Sequence, residues 1–405
     1  MGMPARNRTN AIMTSRAERI TESLVGAELD GLLCFLPENI LFLSGYWPST
    51  GDSAVIVTRR GQRALVLPSV DKPFVPDDWN GLLVCYDIDP TDLQAGSPRD
   101  KVVQALTVAL QEFGLSAGRL GCELTFETVA GSFRGSEANV PGREMYISLT
   151  KQLPRLSMQD ASDLVRNLRR LKTPREIDAF RRCNRIADYA FSRAREAARP
   201  GVKEIEVAAI MESAFQQYGI SVETANRARG YAFVMSGPIN SANAWLPANF
   251  STKRTLQEGD FVLIEFNGFA DGYWTDLSRT FIIGEPSERQ HGMIEAVSEV
   301  LETVVRAVKP SVSAGSLDEL ARKGFRSAGL EQYFLHYIGH AVGFAFHEQP
   351  ILKTDSDVLL EPGMILAIEP GLYIDKVGGI RIEDNLIVTT EGAERLSNCE
   401  RSPIL

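Results

Sequence analysis

The chain of 405 residues is long enough for two domains of ordinary size. Its net charge of −9 argues against binding of nucleic acid through a basic surface, and it has no apolar run long enough to span a bilayer. Its five cysteines are scattered and odd in number, which is typical of free thiols in a reducing compartment. We therefore expect a cytoplasmic protein without nucleic-acid or membrane partners.

The first part of the chain, residues 15–155, alternates strand and helix patterns. Short apolar runs at 32–36, 54–58 and 64–68 predict buried strands, and the spacing from Lys101 to Phe113 predicts an amphipathic helix. These patterns predict an α/β domain. Residues 1–14 precede them, and we expect a disordered tail there.

A second domain is predicted over residues 156–405. Thr173-Pro174-Arg175-Glu176 is a capping box with proline at the first helical position, which predicts the start of a helix. A weak internal repeat follows, in which three residues recur after 110 positions: Pro200, Phe215 and Gly219 return as Pro310, Phe325 and Gly329. Ser316-Leu317-Asp318-Glu319 is a second predicted capping box in the later copy. The repeat predicts two related α+β halves around a pseudo-twofold axis.

A hairpin in the first half carries two carboxylates. The segment Phe261 to Gly284 predicts two strands joined at Asp271-Gly272, a pair that favours a two-residue turn. Counting back from that turn places Asn267 opposite Asp276 and puts Glu265 on the same face, one diagonal away. Two carboxylates so placed could share a cation. They could also be solvated strand residues or partners of Arg279.

Histidines and further carboxylates cluster in the second half. The chain has four histidines, and three of them, His336, His340 and His347, lie within one short segment. Glu369 and Glu383 follow. Carboxylates and imidazole are the ligands that a divalent cation takes, and bridging carboxylates could hold two. For His336 and His347 a structural role remains the alternative.

Together these segments resemble the pita-bread metallopeptidase family of prolidases, Xaa-Pro aminopeptidases and methionine aminopeptidases. The matching segments in the second domain are Leu171–Ile177, Ser236–Pro238, Asp271–Phe281, Gly339–Pro350, Glu361–Met364 and Glu369–Tyr373. Residues 37–45 resemble the first domain of prolidases and creatinase. The resemblance implies an α+β protein in which an N-terminal creatinase/prolidase-type α/β domain precedes a pita-bread catalytic domain.

The resemblance also implies a metal site and an activity. It places metal ligands at Glu265, Asp276, His340, Glu369 and Glu383. Glu265 departs from the aspartate that is usual at its position. The implied cofactor is two divalent ions, Mn²⁺ first, with Co²⁺, Zn²⁺ or Fe²⁺ as alternatives. The implied reaction is hydrolysis of the amide bond of a small peptide, Xaa-Pro above all, by a metal-bound hydroxide.

Catalytic and binding roles follow from the same resemblance. Glu369 is expected to move a proton as well as bind metal, and His347 and His336 to hydrogen-bond the substrate. Arg381 is expected either to pair with a substrate carboxylate or to orient Glu383. Tyr273 is expected to pack or to contact substrate. A homodimer is implied as well.

A second departure leaves the substrate open. Peptidases of this branch carry a histidine upstream of the hairpin, and counting places Ala248 there. A metal-dependent hydrolase of a non-peptide amide is therefore an alternative, and a catalytically inactive binding module is another. The metal-free chemistry of creatinase fits poorly, because it uses the histidine that is missing here.

Overall fold

The computed structural model describes residues 15–49, 52–87, 98–124, 143–246 and 250–403, which form two compact units divided between Arg169 and Arg170. The predicted tail at 1–14 and Ala248 lie outside the described residues. All five cysteines lie within them and are free thiols. No helix in this part of the chain is long and apolar enough to cross a membrane.

The first unit is a mixed sheet of six strands with helices, as the α/β pattern predicts. Its helices are α1 (Arg16–Gly26), α2 (Pro37–Ser44), α3 (Pro98–Glu112), α4 (Arg143–Gln152) and α5 (Ser162–Arg169). Its strands are β1 (Gly31–Cys34), β2 (Ala54–Thr58), β3 (Arg63–Pro68), β4 (Leu82–Tyr86), β5 (Arg119–Cys122) and β6 (Ser157–Asp160). The strand order is β4-β3-β2-β1-β5-β6. β6 pairs in parallel with β5, so the chain divides after Arg169 and not near residue 155.

The second unit contains two helix pairs and three sheets. Its helices are α6 (Pro174–Ala197), α7 (Glu204–Ser221), α8 (Gly237–Asn240), α9 (Glu288–Ala307) and α10 (Ala314–Ser327). Its strands are β7 (Ala228–Ser236), β8 (Phe261–Ala270), β9 (Tyr273–Ile282), β10 (Gly339–Ala341), β11 (Glu348–Leu352), β12 (Ile365–Ile368), β13 (Gly371–Ile374), β14 (Gly378–Arg381), β15 (Asp384–Val388) and β16 (Ala393–Arg395). The sheet orders are β7-β8-β9, β11-β10-β12-β15-β16 and β13-β14.

The two helix pairs confirm the predicted internal repeat. Phe215 of α7 is buried in the core that α6 and α7 form with β7, β8 and β9. Its counterpart Phe325 of α10 is buried in the core of α9, α10 and the second-half strands. Each helix pair thus packs on the strands of its own half, and in both halves two helices precede the strands.

Of the two predicted capping boxes, one is confirmed and the other is wrong. Thr173 caps α6 through the predicted box, since Glu176 Oε2 accepts a hydrogen bond of 2.8 Å from the Thr173 backbone N–H. The predicted box at Ser316 is wrong. Ser313 is the cap, accepting from Ser316 N at 3.3 Å, and the helix already begins at Ala314.

The hairpin β8–β9 has the predicted register. Asp271 and Gly272 both have positive φ, 51° and 84°, as a two-residue turn that matches the strand twist requires. Asn267 pairs with Asp276, and β7 adds Phe233 opposite Glu265. Because side chains alternate along strands, these four residues share one face of the sheet.

Side-chain clamps connect this hairpin to the second half. Asn385 Nδ2 donates to Asp276 O at 2.7 Å, and Asn385 Oδ1 accepts from Asp276 N at 3.3 Å. Thr280 Oγ1 donates to Arg381 O at 3.0 Å and accepts from Arg381 N at 3.0 Å. These contacts hold β9 against β14 and β15, which brings Asp276 and Glu383 into one buried region.

Candidate metal centre

Asp276 lies between His340 and His347, and the three residues form a cluster of possible metal ligands. Asp276 is 2% exposed, and its Oδ1 accepts a hydrogen bond of 2.6 Å from Asn267 Nδ2. Its Oδ2 is 3.6 Å from His340 Nε2 and 3.1 Å from His347 Nε2. The ligand atoms of these three residues lie within 4.8 Å of one another, a spacing that suits a single cation.

His340 presents its Nε2 lone pair to this cluster. Its Nδ1 is 3.0 Å from Ala341 O, so Nδ1 carries the proton and Nε2 is the acceptor. Burial, aided by His347, holds the pKa of His340 well below its ordinary value, so the ring is neutral. Nε2 also lies 3.7 Å from Glu369 Oε1. A neutral imidazole aimed at carboxylates is the form that binds metal.

Glu369 and Glu383 add two crowded carboxylates. Burial raises the pKa of each well above its usual range, with the charge of Glu383 adding to the shift of Glu369 and that of Asp276 to the shift of Glu383. Ser278 Oγ donates to Glu383 Oε2 at 2.8 Å. Glu383 Oε1 is buried and has no hydrogen-bond partner among the described residues. A buried acceptor beside other carboxylates fits a bound cation.

Arg381 links Glu265 to the remaining carboxylates. Its guanidinium lies 2.9 Å from Glu265 Oε2, 2.8 Å from Ser278 Oγ and 3.0 Å from the Tyr373 hydroxyl. Burial lowers the pKa of Arg381, but Tyr373 and Glu265 raise it more, so the net shift is upward. Of the two expected roles, orientation of Glu383 has support in these contacts, because Ser278 donates onward to Glu383.

Both ring nitrogens of His336 have partners in tyrosine residues. Its Nε2 is 2.9 Å from the Tyr373 hydroxyl, and its Nδ1 is 2.7 Å from Tyr337 O. Burial, with the charge of Arg381, lowers the pKa of His336 to about 3, so it is neutral. His336 therefore reaches the site through Tyr373, which then contacts Arg381.

Tyr273 is not brought to the site. It lies on the face of β9 opposite to Asp276, because the two are three positions apart. Its ring packs against Phe180 and Phe344, with centroids 5.2 and 5.8 Å away. Of its two expected roles, packing is the one that these contacts support.

A buried ion pair holds the segment that carries His347. Lys172 Nζ lies 3.2 Å from Glu348 Oε2, and the two side chains are 0% and 4% exposed. Glu348 Oε1 accepts from Phe344 N at 3.1 Å. Three residues of this region were not predicted from the sequence: Lys172, Ser278 and Tyr373. The partners of Lys172 and Ser278 lie more than a hundred positions away, and that of Tyr373 lies on the neighbouring strand. The residues that flank them in the sequence give no indication of these partners.

An apolar surface borders the carboxylates. Phe233, which pairs with Glu265 across β7 and β8, packs with Met235, Ala244, Leu263 and Tyr373. The ring of Phe250 lies 5.8 Å from that of Phe233. A polar cluster with one apolar side is typical of a site for a small ligand with a hydrophobic group.

Comparison with known proteins identifies the class. The family model for Metallopeptidase family M24 matches residues 178–390, and that for the Creatinase/Prolidase N-terminal domain matches 16–171. The Xaa-Pro dipeptidase of Pyrococcus horikoshii is 28% identical over 97% of this chain and 99% of its own. That of Pyrococcus furiosus is 35% identical over 59% of this chain and 66% of its own. The Xaa-Pro dipeptidase structure from Bacillus anthracis has a TM-score of 0.78 at 28% identity, covering 96% of this chain and 99% of that one.

Fold and site thus define a metallopeptidase with an N-terminal domain of the creatinase/prolidase type. The chain belongs to metallopeptidase family M24, as predicted from its motifs. Membership implies divalent metal ions as cofactor, and the buried ligand cluster of Asp276 and His340 fits them.

Proposed function

We propose that this protein hydrolyses the amide bond of small Xaa-Pro peptides, as a dipeptidase or an aminopeptidase. The observation that carries the proposal is the buried cluster of Asp276, His340 and Glu369 beside the apolar side of Phe233. Such a surface can take a pyrrolidine ring, and the carboxylates would hold the cation that polarises the carbonyl of the substrate. Relatives aligned along nearly the whole chain are named Xaa-Pro dipeptidases.

The proposed ligands are Asp276, His340, Glu369 and Glu383, and the resemblance adds Glu265 together with a second ion. Carboxylate oxygens with a single imidazole suit Mn²⁺, so we propose manganese. A bound divalent ion lowers the pKa of water and polarises a carbonyl oxygen.

The remaining steps belong to the side chains of the protein. Glu369, whose Oε1 lies 3.7 Å from His340 Nε2, is suited to accept a proton from the attacking water and to pass it to the leaving nitrogen. His347 Nε2, now 3.1 Å from Asp276 Oδ2, can donate to the substrate carbonyl after a small rotation. Arg381 holds Ser278, and through it Glu383, in a fixed orientation.

A metal-dependent hydrolase of a non-peptide amide is the second candidate. The observation in its favour is Ala248, which stands where peptidases of this branch carry a histidine. Without that imidazole the substrate loses one hydrogen-bonding group, and a smaller amide would need it less.

A substrate panel separates these candidates. Manganese-loaded protein is incubated with alanyl-proline, alanyl-prolyl-glycine, alanyl-alanine and a cyclic non-peptide amide, and the released amines are quantified. The proposal predicts cleavage of one or both proline peptides at least ten times faster than alanyl-alanine. Cleavage of the cyclic amide alone would replace the first candidate by the second.

We also propose a cytoplasmic location, because the five cysteines are free thiols, and a homodimer, which the family resemblance implies. Light scattering at micromolar concentration tests the dimer through a mass of about twice 44.6 kDa.

A further inference from the structure

Two carboxylates that would form a second cation site face N–H donors instead. Glu265 Oε2 accepts from Arg381 Nη2 at 2.9 Å. Asp276 Oδ1 accepts from Asn267 Nδ2 at 2.6 Å. Each N–H group takes one of the two lone pairs of the oxygen that it faces, and it brings positive charge or a dipole of the wrong sign towards a cation placed there.

Asn267 makes this arrangement specific. An ionised carboxylate only accepts hydrogen bonds, so the amide nitrogen and not its oxygen must face Asp276. Asn267 is 3% exposed and lies directly opposite Asp276 in the register of β8 and β9, which leaves it little freedom to withdraw. The side chain therefore takes one lone pair of the carboxylate that two ions would have to share, and it holds a dipole of the wrong sign beside that carboxylate.

The other acceptor atoms converge on one place. His340 Nε2 lies 3.6 Å from Asp276 Oδ2 and 3.7 Å from Glu369 Oε1. Glu383 is buried nearby with Oε1 lacking a hydrogen-bond partner in the described part of the chain, because Ser278 takes its Oε2. A donor also faces this side, His347 Nε2 at 3.1 Å from Asp276 Oδ2, but its side chain is 19% exposed and can rotate away, whereas Asn267 and Arg381 are buried.

We propose that the centre binds one divalent ion per chain, between Asp276 Oδ2, His340, Glu369 and Glu383, and that Asn267 and the Glu265–Arg381 pair exclude a second ion. This inference rests on the proposed function for the presence of a metal, and it replaces the two-ion expectation. A single ion at these residues would still supply the Lewis acid that hydrolysis of an amide bond needs.

Metal content and spectroscopy test the inference without reference to activity. Protein stripped with chelator is dialysed against graded Mn²⁺, bound metal is measured by mass spectrometry, and spin resonance spectra are recorded. One ion per chain at saturation, with the hyperfine pattern of an isolated Mn²⁺, is expected. Two ions with the pattern of an exchange-coupled pair would overturn the inference and leave the proposed function standing.

Variants test where the ion binds and which residues exclude a second ion. His340→Ala should lose the ion; retention would overturn its placement. The double variant Glu265→Asp with Asn267→Ala should gain a second ion, and a count that stays at one would overturn the role of these two residues. Asn240→Ala is the control for Asn267→Ala, because Asn240 also donates to a buried carboxylate, that of Glu204, at 3.1 Å. Glu212→Asp is the control for Glu265→Asp, because Glu212 also accepts a hydrogen bond, from Ala232 N at 2.9 Å. Both controls should keep one ion.

The two proposals fail in different ways. Wild-type protein that binds one ion but cleaves no peptide keeps this inference and removes the peptidase. Wild-type protein that binds no ion at saturating Mn²⁺ removes both.

Discussion

Glu383 and Asp384 are adjacent in the chain, yet their carboxylates lie in opposite electrostatic surroundings. Burial and the charge of Asp276 raise the pKa of Glu383 well above its usual range. Burial also opposes ionisation of Asp384, but Arg279 at 2.8 Å and two further arginines lower its pKa overall. One carboxylate is therefore suited to receive a cation, and the other is already neutralised by the protein.

This contrast predicts stability changes of opposite sign. Glu383→Gln should stabilise the metal-free protein by about 1 kcal/mol, because it removes one of several repelling buried charges. Asp384→Asn should destabilise it by about 3 kcal/mol, because buried arginine charges lose their partner. Urea unfolding in the presence of chelator measures both. Changes of the same sign would contradict the assigned environments.

The same ion pair predicts a pH dependence. The pKa of Asp384 is lowered in the folded state below the ordinary value of 3.8, so the unfolded chain binds its proton first as pH falls. Its stabilisation is present above pH 3.8 and is lost as pH drops through the folded value. The stability difference between wild type and Asp384→Asn should therefore shrink below pH 4, as urea titrations at several pH values would show. A difference that stays constant into acid would refute this.

The buried pair of Lys172 and Glu348 should stabilise the segment that carries His347. Lys172→Met leaves the Glu348 charge without its cation and should cost about 3–5 kcal/mol. Lys353→Met is the control, because Lys353 and Asp355 form an exposed pair, 53% and 74% accessible, and its loss should cost less than about 1 kcal/mol. Thermal and urea unfolding measure the stability of both variants. An equal loss of stability in Lys172→Met and Lys353→Met would show that burial does not distinguish the two pairs.

The Tyr373 hydroxyl should affect turnover without affecting metal content. Tyr373→Phe removes the contacts to His336 and Arg381, which are 2.9 and 3.0 Å long. We expect kcat to fall about tenfold, as loss of a hydrogen bond to a charged group commonly costs 1.5–3 kcal/mol, with bound Mn²⁺ unchanged. Tyr189→Phe, on the exposed ring stacked against Tyr218, is the control and should leave kcat unchanged. Lost metal in Tyr373→Phe would instead make Tyr373 part of the ligand support.

Local rules explain which predictions succeed. The two-residue turn at Asp271-Gly272 fixes the strand register, so the pairing of Asn267 with Asp276 could be counted from the sequence alone. The capping box at Thr173 succeeds for the same reason, since all its atoms lie within one turn. The prediction at Ser316 failed because a second serine lies three residues earlier: Ser313 itself has the extended backbone of a cap, φ −75° and ψ 141°, and its side chain accepts from Ser316 N.

Contacts between distant segments could not be predicted in this way. The sequence placed His336 with the other histidines, but β13 brings Tyr373 to its Nε2, so that this nitrogen is hydrogen-bonded to a hydroxyl group. Lys172 and Glu348 are 176 positions apart, and the sequence around each of them does not indicate the other as its partner. The family resemblance supplied the ligand positions, whereas the donors that face Glu265 and Asp276 Oδ1 emerged only from the fold.

The most direct test of the central claim is chelator-sensitive release of proline from alanyl-proline. The account predicts turnover by the Mn²⁺-loaded protein, loss of turnover after treatment with chelator, recovery when Mn²⁺ is restored, and none in Asp276→Ala at any Mn²⁺ concentration. Proline release that survives complete metal removal, or that persists in Asp276→Ala, would contradict a metallopeptidase centred on this cluster.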